Sequence, residues 1–322
     1  MNRREFMTCA VCAGLASTVG NVAAFAADDD TGAINVGGTE YANRKAFVSS
    51  GRRCGTPVPT LYDIRRTQRV RSALRSNNIE FNTKTVVPVH FHIIHDGTHG
   101  NLPDHQLEAQ IALLNQVYDP ALVEFQMVSV DRTKHPKWYR VGISTPEEAA
   151  MKAELGKAPD RSLNFYTADL PDGLLGWATF PWYLGAYPVM DGVVINQMSL
   201  PDSHQQSPYN LGMTAVHEIG HWCGLFHTFE NGCNDPGDEI SDTAYEENSA
   251  AGCPLGQKSS CPNEARFNPV ENYMDYSDDA CMKQFTPLQF QRIKDMVGYY
   301  RYQLQPPVHR SALLERLREE LE

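Results

Sequence analysis

Apolar residues recur along the chain with two different periods, and the switches between them mark most of the elements. From Thr85 to His95, β-branched and aromatic residues alternate with other types, which predicts a strand. From Asp104 to Tyr118, the apolar positions Ile111, Leu114 and Val117 return at helical spacing, which predicts a helix. A strand near Phe125–Val130, a short helix from Thr145 to Leu155 capped by Ser144, and a strand near Leu163–Thr167 follow. The glycines and small residues of Gly173–Phe180 suit an exposed edge strand, and Gly192–Asn196 reads as a buried one. Pro287 to Gln303 reads as a closing helix, broken by Pro306-Pro307. Beyond it Leu313, Leu314, Leu317 and Leu321 form a short amphipathic tail that docks locally or frays. Strands alternating with helices predict an α/β sandwich.

The helical pattern carries chemistry from His217 to His227, which reads His-Glu-Ile-Gly-His-Trp-Cys-Gly-Leu-Phe-His. One helical turn separates His217 from His221, so two imidazoles can meet one metal ion. Glu218 lies about 100° around the helix, where it reaches a water on the ion without competing for the ion. Ala215, Val216, Ile219, Trp222 and Cys223 form the opposite, apolar stripe, and so Cys223 reads as a free, packed thiol. Gly224 takes the left-handed conformation that stops a helix and lets His227 return as a third ligand. Three histidines leave one zinc position open, the mark of a catalytic rather than a structural ion. His90, His92 and His95 lie on alternating strand positions, are divided between two faces, and read as structural.

Composition bounds the setting. The chain has 322 residues, 42% hydrophobic, with no transmembrane span in its body. Residues 1–26 resemble an export signal, with Arg3-Arg4 before an apolar run and Ala24-Phe25-Ala26 as a small-residue cleavage pattern. The paired arginines fit a twin-arginine signal or an ordinary secretory one, and either implies a secreted or periplasmic protein. Residues 1–75 hold 11 Lys/Arg and 6 Asp/Glu, leaving 17 and 33 for the rest, so a leader near +5 precedes a body near −16. An acidic body disfavours nucleic acid and favours cationic partners, the leader among them. Beyond the signal lie Cys54, Cys223, Cys233, Cys253, Cys261 and Cys281, whose pairing the sequence leaves open.

The zinc motif, the downstream run Glu271-Asn272-Tyr273-Met274-Asp275-Tyr276 and four downstream cysteines together resemble the pappalysin family of metzincins, in particular small prokaryotic members of the ulilysin type. The resemblance implies an α/β (α+β) catalytic domain at residues 81–305. Its parts would be a twisted mixed β-sheet, a backing helix, the zinc-site helix and a disulfide-bridged C-terminal subdomain, with the tail at 306–322. It implies a zinc endopeptidase made as a latent zymogen, with polypeptides as substrates. Glu218 would be the general base, Tyr276 would stabilise the oxyanion, and Met274 would form the floor beneath the ion. Residues 27–80 would be an inhibitory prosegment, in which Arg53-Cys54-Gly55-Thr56 resembles a latency motif whose Cys54 thiolate fills the open zinc position.

Several finer assignments follow from the same likeness. It pairs Cys233 with Cys261 and Cys253 with Cys281. It places the upper rim of the cleft at Gly176 and Ala178, where substrate adds as a strand. It points to calcium at Asp238 and Thr243, within the oxygen-rich group Asp238, Glu239, Asp242 and Thr243 that sequence alone reads equally well as a solvated acidic loop. It singles out Asp279, beside Asp278, as the carboxylate that meets an arginine, or a lysine, following the scissile bond. Cleavage before one of the arginines from Arg65 to Arg75 would then let the enzyme mature itself. Two other readings stand beside this one: a non-catalytic binding protein or adhesin that keeps the scaffold, and a zinc amidase acting on cell-wall peptides.

Overall fold

The computed structural model describes residues 32–203, 207–305 and 311–321, so the expected export signal and the Pro306-Pro307 break lie outside the described residues. In chain order the elements open with a hairpin of β1 (Ile34–Val36) and β2 (Thr39–Tyr41), then α1 (Arg44–Ser49) and α2 (Leu61–Ser76). Next come β3 (Thr85–His95), α3 (Asp104–Tyr118), β4 (Val123–Lys134), α4 (Pro136–Tyr139), α5 (Pro146–Leu155) and β5 (Leu163–Ala168). The chain closes with β6 (Gly176–Ala178), β7 (Val193–Asn196), α6 (Met213–Trp222), α7 (Pro287–Tyr300) and α8 (Ala312–Leu321).

Five strands form one sheet in the order β4-β3-β5-β7-β6, parallel except for β6, which runs antiparallel to β7 at the edge. The sheet is mixed, as expected. On one face of β3, Val87, Val89, Phe91 and Ile93 are fully buried against Leu107 and Leu114 of α3 and the apolar stripe of α6. Each such side chain contributes roughly 1.5–3 kcal/mol of burial, so this layer fixes α6 against the sheet. His92 instead lies within a polar network, its ring nitrogens 2.8 Å from the Asp131 carboxylate and 2.9 Å from the Asn164 amide oxygen, a structural role.

Two boundaries differ from expectation. β4 runs four residues past Val130, because pairing with β3 continues to Lys134 opposite His95 although the side chains there are polar and partly exposed. The cap of α5 is Thr145, whose side chain accepts from the Glu148 amide. Ser144 stands before it at φ 57°, its own amide donating to Glu148.

From residue 32 the leader is folded. Its hairpin and α1 pack in one cluster with Cys54, Tyr209 and Tyr276, and α2 lies against α7 and α8. The tail docks: Leu314 and Leu317 of α8 are buried. Cys233 bridges Cys261 and Cys253 bridges Cys281, while Cys54 and Cys223 are free and buried.

Candidate active site

Helix α6 begins where Asp279 accepts hydrogen bonds from the amides of Leu211 (2.9 Å) and Met213 (3.4 Å), two donors at the helix N-terminus that lack intrahelical partners. It ends at Gly224, with φ +93°, where an added Cβ would meet the Met296 side chain at 2.7 Å. The turn delivers His227 to the two helix histidines. The Nε2 of His221 stands 3.2 Å from that of His217 and 3.0 Å from that of His227. Nitrogens bound at 2.0–2.1 Å to one tetrahedral zinc ion would be separated by about 3.3 Å.

The backbone sets the tautomers. His217 Nδ1 lies 2.8 Å from the Tyr273 carbonyl and His221 Nδ1 2.8 Å from that of Leu225, so each Nδ1 carries the proton and each Nε2 offers its lone pair. Burial lowers all three imidazoles, His221 to about 4, which keeps them neutral as metal ligation requires. Met274 lies directly under the helix, where a Cβ on Gly220 would come within 2.4 Å of its sulfur. Gly220 is therefore part of the site, which the ligand pattern alone did not reveal. The Tyr276 hydroxyl is 3.2 Å from His227 Nε2, on the rim of the metal position.

Cys54 joins this group. Its sulfur and the three histidine nitrogens lie within 4.8 Å of one another, all buried. Burial, then the negative charge of Glu218, pushes the Cys54 thiol well above its usual range. A sulfur so placed becomes a thiolate only beside a cation, so the donor set fits zinc with four protein ligands. The Glu218 carboxyl is buried and pushed up to about 7, with Thr56, Cys54 and Arg53 opposing the rise. Thr56 donates to Glu218 Oε2 at 2.7 Å, and Cys54 Sγ is 3.5 Å from the same oxygen. The contact from Thr56 to Glu218 was not foreseen; its only sequence signal is its place two residues after the cysteine.

Around these residues the leader lines the sheet edge. The Leu175 amide donates to Arg52 O (2.9 Å), the Gly55 amide donates to Gly176 O (2.8 Å), and the Ala178 amide donates to Thr56 Oγ1 (2.9 Å). Gly176 and Ala178 thus lie beside the leader, which runs in the same direction as β6. A Cβ at Gly176 would meet the Val194 carbonyl oxygen at 2.9 Å and Glu218 Cγ at 3.1 Å, so glycine allows β6 to approach Glu218. Arg53 enters a closed pocket: its guanidinium lies 3.7 Å from Asp279, donates to Thr214 Oγ1 at 3.2 Å and covers the Tyr209 ring at 5.2 Å. Burial holds the Asp279 carboxyl up at about 6, with Arg53 lowering it. Asp278 pairs with Arg44 at 2.7 Å and, at the edge of that pocket, also hydrogen-bonds Tyr209 and feels the charge of Arg53.

The oxygen-rich loop is divided. Thr243 Oγ1 lies 2.8 Å from both Asp238 oxygens and 2.6 Å from the Ile240 carbonyl, Glu239 pairs with Arg292 at 2.7 Å, and Asp242 accepts from the Leu288 amide at 3.0 Å.

Known proteins share this architecture. A family model described as pregnancy-associated plasma protein-A, peptidase M43, matches residues 155–298. An extracellular metalloprotease of Verticillium alfalfae is 38% identical over 84% of this chain and 96% of the relative; one of Pyricularia oryzae is 36% identical over 79% and 91%. Among solved structures, mirolysin in complex with compound 9 is 28% identical, with a TM-score of 0.63 over 70% of this chain and 97% of that one. A mutant of Tannerella forsythia promirolysin is 26% identical, with a TM-score of 0.65 over 78% and 96%. No described helix is long and apolar enough to cross a membrane. With its histidine cradle, its buried glutamate and these relatives, the chain belongs to the pappalysin family and is a secreted, zinc-dependent metalloendopeptidase.

Proposed function

We propose that this chain is a latent zymogen of an endopeptidase that cleaves polypeptides before arginine and, less well, before lysine. The observation that carries the reading is the leader's double occupation of the site, with Cys54 among the zinc histidines and Arg53 against Asp279. An arginine held by this carboxylate in the latent form stands where the side chain following the scissile bond would go. Arginine suits the pocket better than lysine, because its planar fork reaches Asp279 and Thr214 together. One structural relative is named as a pro form, and another solved chain is mature mirolysin in complex with a cleaved peptide.

In the mature enzyme, His217, His221 and His227 would hold a zinc ion, which would supply a Lewis acid and lower the pKa of a water to about 7. The chain's own groups do the rest. Once Thr56 and Cys54 have left, Glu218 Oε2 is free to take the proton of the attacking water and to pass it to the departing amine. Tyr276, whose hydroxyl is 3.2 Å from His227, donates a hydrogen bond to the oxyanion and keeps its proton. The β6 backbone around Gly176 and Ala178 takes the substrate as an added strand. Signal-directed export by residues 1–26 and a prosegment spanning 27–80 belong to the same reading.

Calcium at Asp238 and Thr243 completes it. Burial raises Asp238 to about 7 and Glu246 well above the usual carboxylate range, and Glu246 Oε2 is buried without a hydrogen-bond partner. This surplus of buried carboxylate fits a hard cation, for which Asp238 and Thr243 would provide oxygens. Adding calcium to chelator-treated protein should raise its thermal midpoint, and an unchanged midpoint would remove calcium from the account. The whole reading is tested by incubating a peptide library with matured enzyme, with and without a zinc chelator. Chelator-sensitive cleavage before arginine supports it, whereas cleavage only of cell-wall peptides favours the amidase, and none at all the binding protein.

A further inference from the structure

β6 is three residues long and pairs on one side only, with β7, in the register Gly176–Ile195, Trp177–Val194 and Ala178–Val193. So short an edge strand has few bonds of its own to hold it in place. Its other side takes the leader, where the Gly176 carbonyl accepts from Gly55 and the Ala178 amide donates to Thr56. The leader passes the Asp279 pocket at Arg53 before it reaches the histidines at Cys54. A substrate meets the two in the other order, because its scissile carbonyl precedes the side chain that enters the pocket. Substrate therefore runs against the leader, and the residues before its scissile bond lie along Gly176 and Ala178.

Behind this strand stands a buried ion pair that no step of the reaction uses. Strand alternation turns Trp177 away from Glu218, into the apolar cluster of Met151 and Tyr166. Its indole Nε1 donates to Glu148 Oε1 at 2.7 Å. Lys152, one helical turn along α5, lies 2.8 Å from the same oxygen, and the two side chains are 0% and 2% exposed. Lys152 also donates to the Met190 carbonyl at 2.8 Å, which accepts from Thr179 Oγ1 at 2.6 Å. Helix α5 thus holds the strand at Trp177 and at Thr179, the residues on either side of Ala178.

We propose that Glu148 and Lys152 are positioning residues for the substrate: acting through Trp177 and Met190, they fix β6 beside Glu218 so that the residues before the scissile bond add to it in register. This rests on the reading that β6 takes the substrate as an added strand. A buried ion pair gains little over apolar residues of the same volume, and what it supplies instead is a single arrangement of the groups around it. Here those groups are the anchors of the strand. Helix α6 is held separately, by Asp279 at its start, so loosening β6 leaves the histidines and Glu218 where they are. The effect then falls on binding of the peptide rather than on the chemical step.

Trp177→Phe removes the indole N–H and keeps an aromatic ring, which makes it the variant to test. Matured wild type and variant are compared on two peptides with the same arginine after the scissile bond, one with four residues before that bond and one with a single blocked residue there. The KM of the longer peptide should rise about threefold to tenfold in the variant, the range of one lost hydrogen bond, with kcat and zinc content unchanged. The KM of the shorter peptide should stay as in wild type. An unchanged KM for the longer peptide overturns the proposal, and so does a fall in kcat shared by both peptides, which would place the effect at the zinc site. If Trp177→Phe does not fold, the paired replacement of Glu148→Met with Lys152→Met, which leaves neither charge alone, reads the same rise. A wild type that takes both peptides with the same KM overturns strand addition at β6, and this proposal with it; a wild type that favours the longer peptide beside a variant that favours it equally overturns this proposal alone.

Discussion

Arg53 of the leader and Asp279 of the body face each other at 3.7 Å, and neither side chain has any exposed surface. The same carboxylate holds the amides of Leu211 and Met213 at the start of the zinc helix, so it serves pocket and helix at once. Asp279→Asn separates these duties, because the amide oxygen still accepts from the backbone while the charge is lost. Cleavage profiling should show the preference for arginine falling about thirtyfold, the low end of what a buried charge pair is worth, with zinc content unchanged. An arginine preference that survives the substitution would remove Asp279 from the pocket.

Latency is separable from specificity. Cys54→Ala leaves Arg53 in its pocket but takes the sulfur from the histidine cluster, so the variant zymogen should process itself faster. A synthetic leader of residues 32–60 should inhibit the mature enzyme, and its Cys54→Ala form should bind more than about tenfold less well, roughly 1.4 kcal/mol. Equal inhibition by the two peptides would assign latency to Arg53 and Thr56.

The elements that could be read before the fold was known had clean periods or local signals. β3 and α3 begin and end where the pattern predicts, because Val87, Val89, Phe91 and Ile93 on β3 and Leu107, Leu114 and Val117 on α3 are buried at strand and helix spacing. The three zinc histidines, Glu218 and Gly224 lie within eleven residues, so their spacing already contains their geometry. Helix α2 escaped notice because its arginines mask a sparse apolar face of Ile64, Val70 and Leu74, although its Thr60–Asp63 capping box stood in plain view. Thr56 on Glu218 and Arg53 on Asp279 join positions 162 and 226 residues apart, and no periodicity reports such contacts.

Another long-range pair holds the far end of the zinc helix. Arg301 donates to both Asp191 oxygens at 3.0 Å and to the Trp222 carbonyl, and Trp222 Nε1 donates to Asp191 at 3.0 Å. Asp191→Ala strands a buried guanidinium, at a cost of about 3–5 kcal/mol. The thermal midpoint should fall by at least about 6 °C and zinc affinity should weaken with it. A shift below about 2 °C would mean that water or a neighbour replaces the carboxylate.

The central claim is that Glu218 is the base beside a three-histidine zinc ion, and the matured Glu218→Gln enzyme tests it most directly. Because the variant cannot mature itself, it is processed in trans by a trace of wild type that is then removed. Zinc content and peptide hydrolysis are measured on the same sample. The account predicts one zinc per chain, as in wild type, with turnover reduced by about 10²-fold or more. Near-wild-type turnover with zinc bound would contradict it.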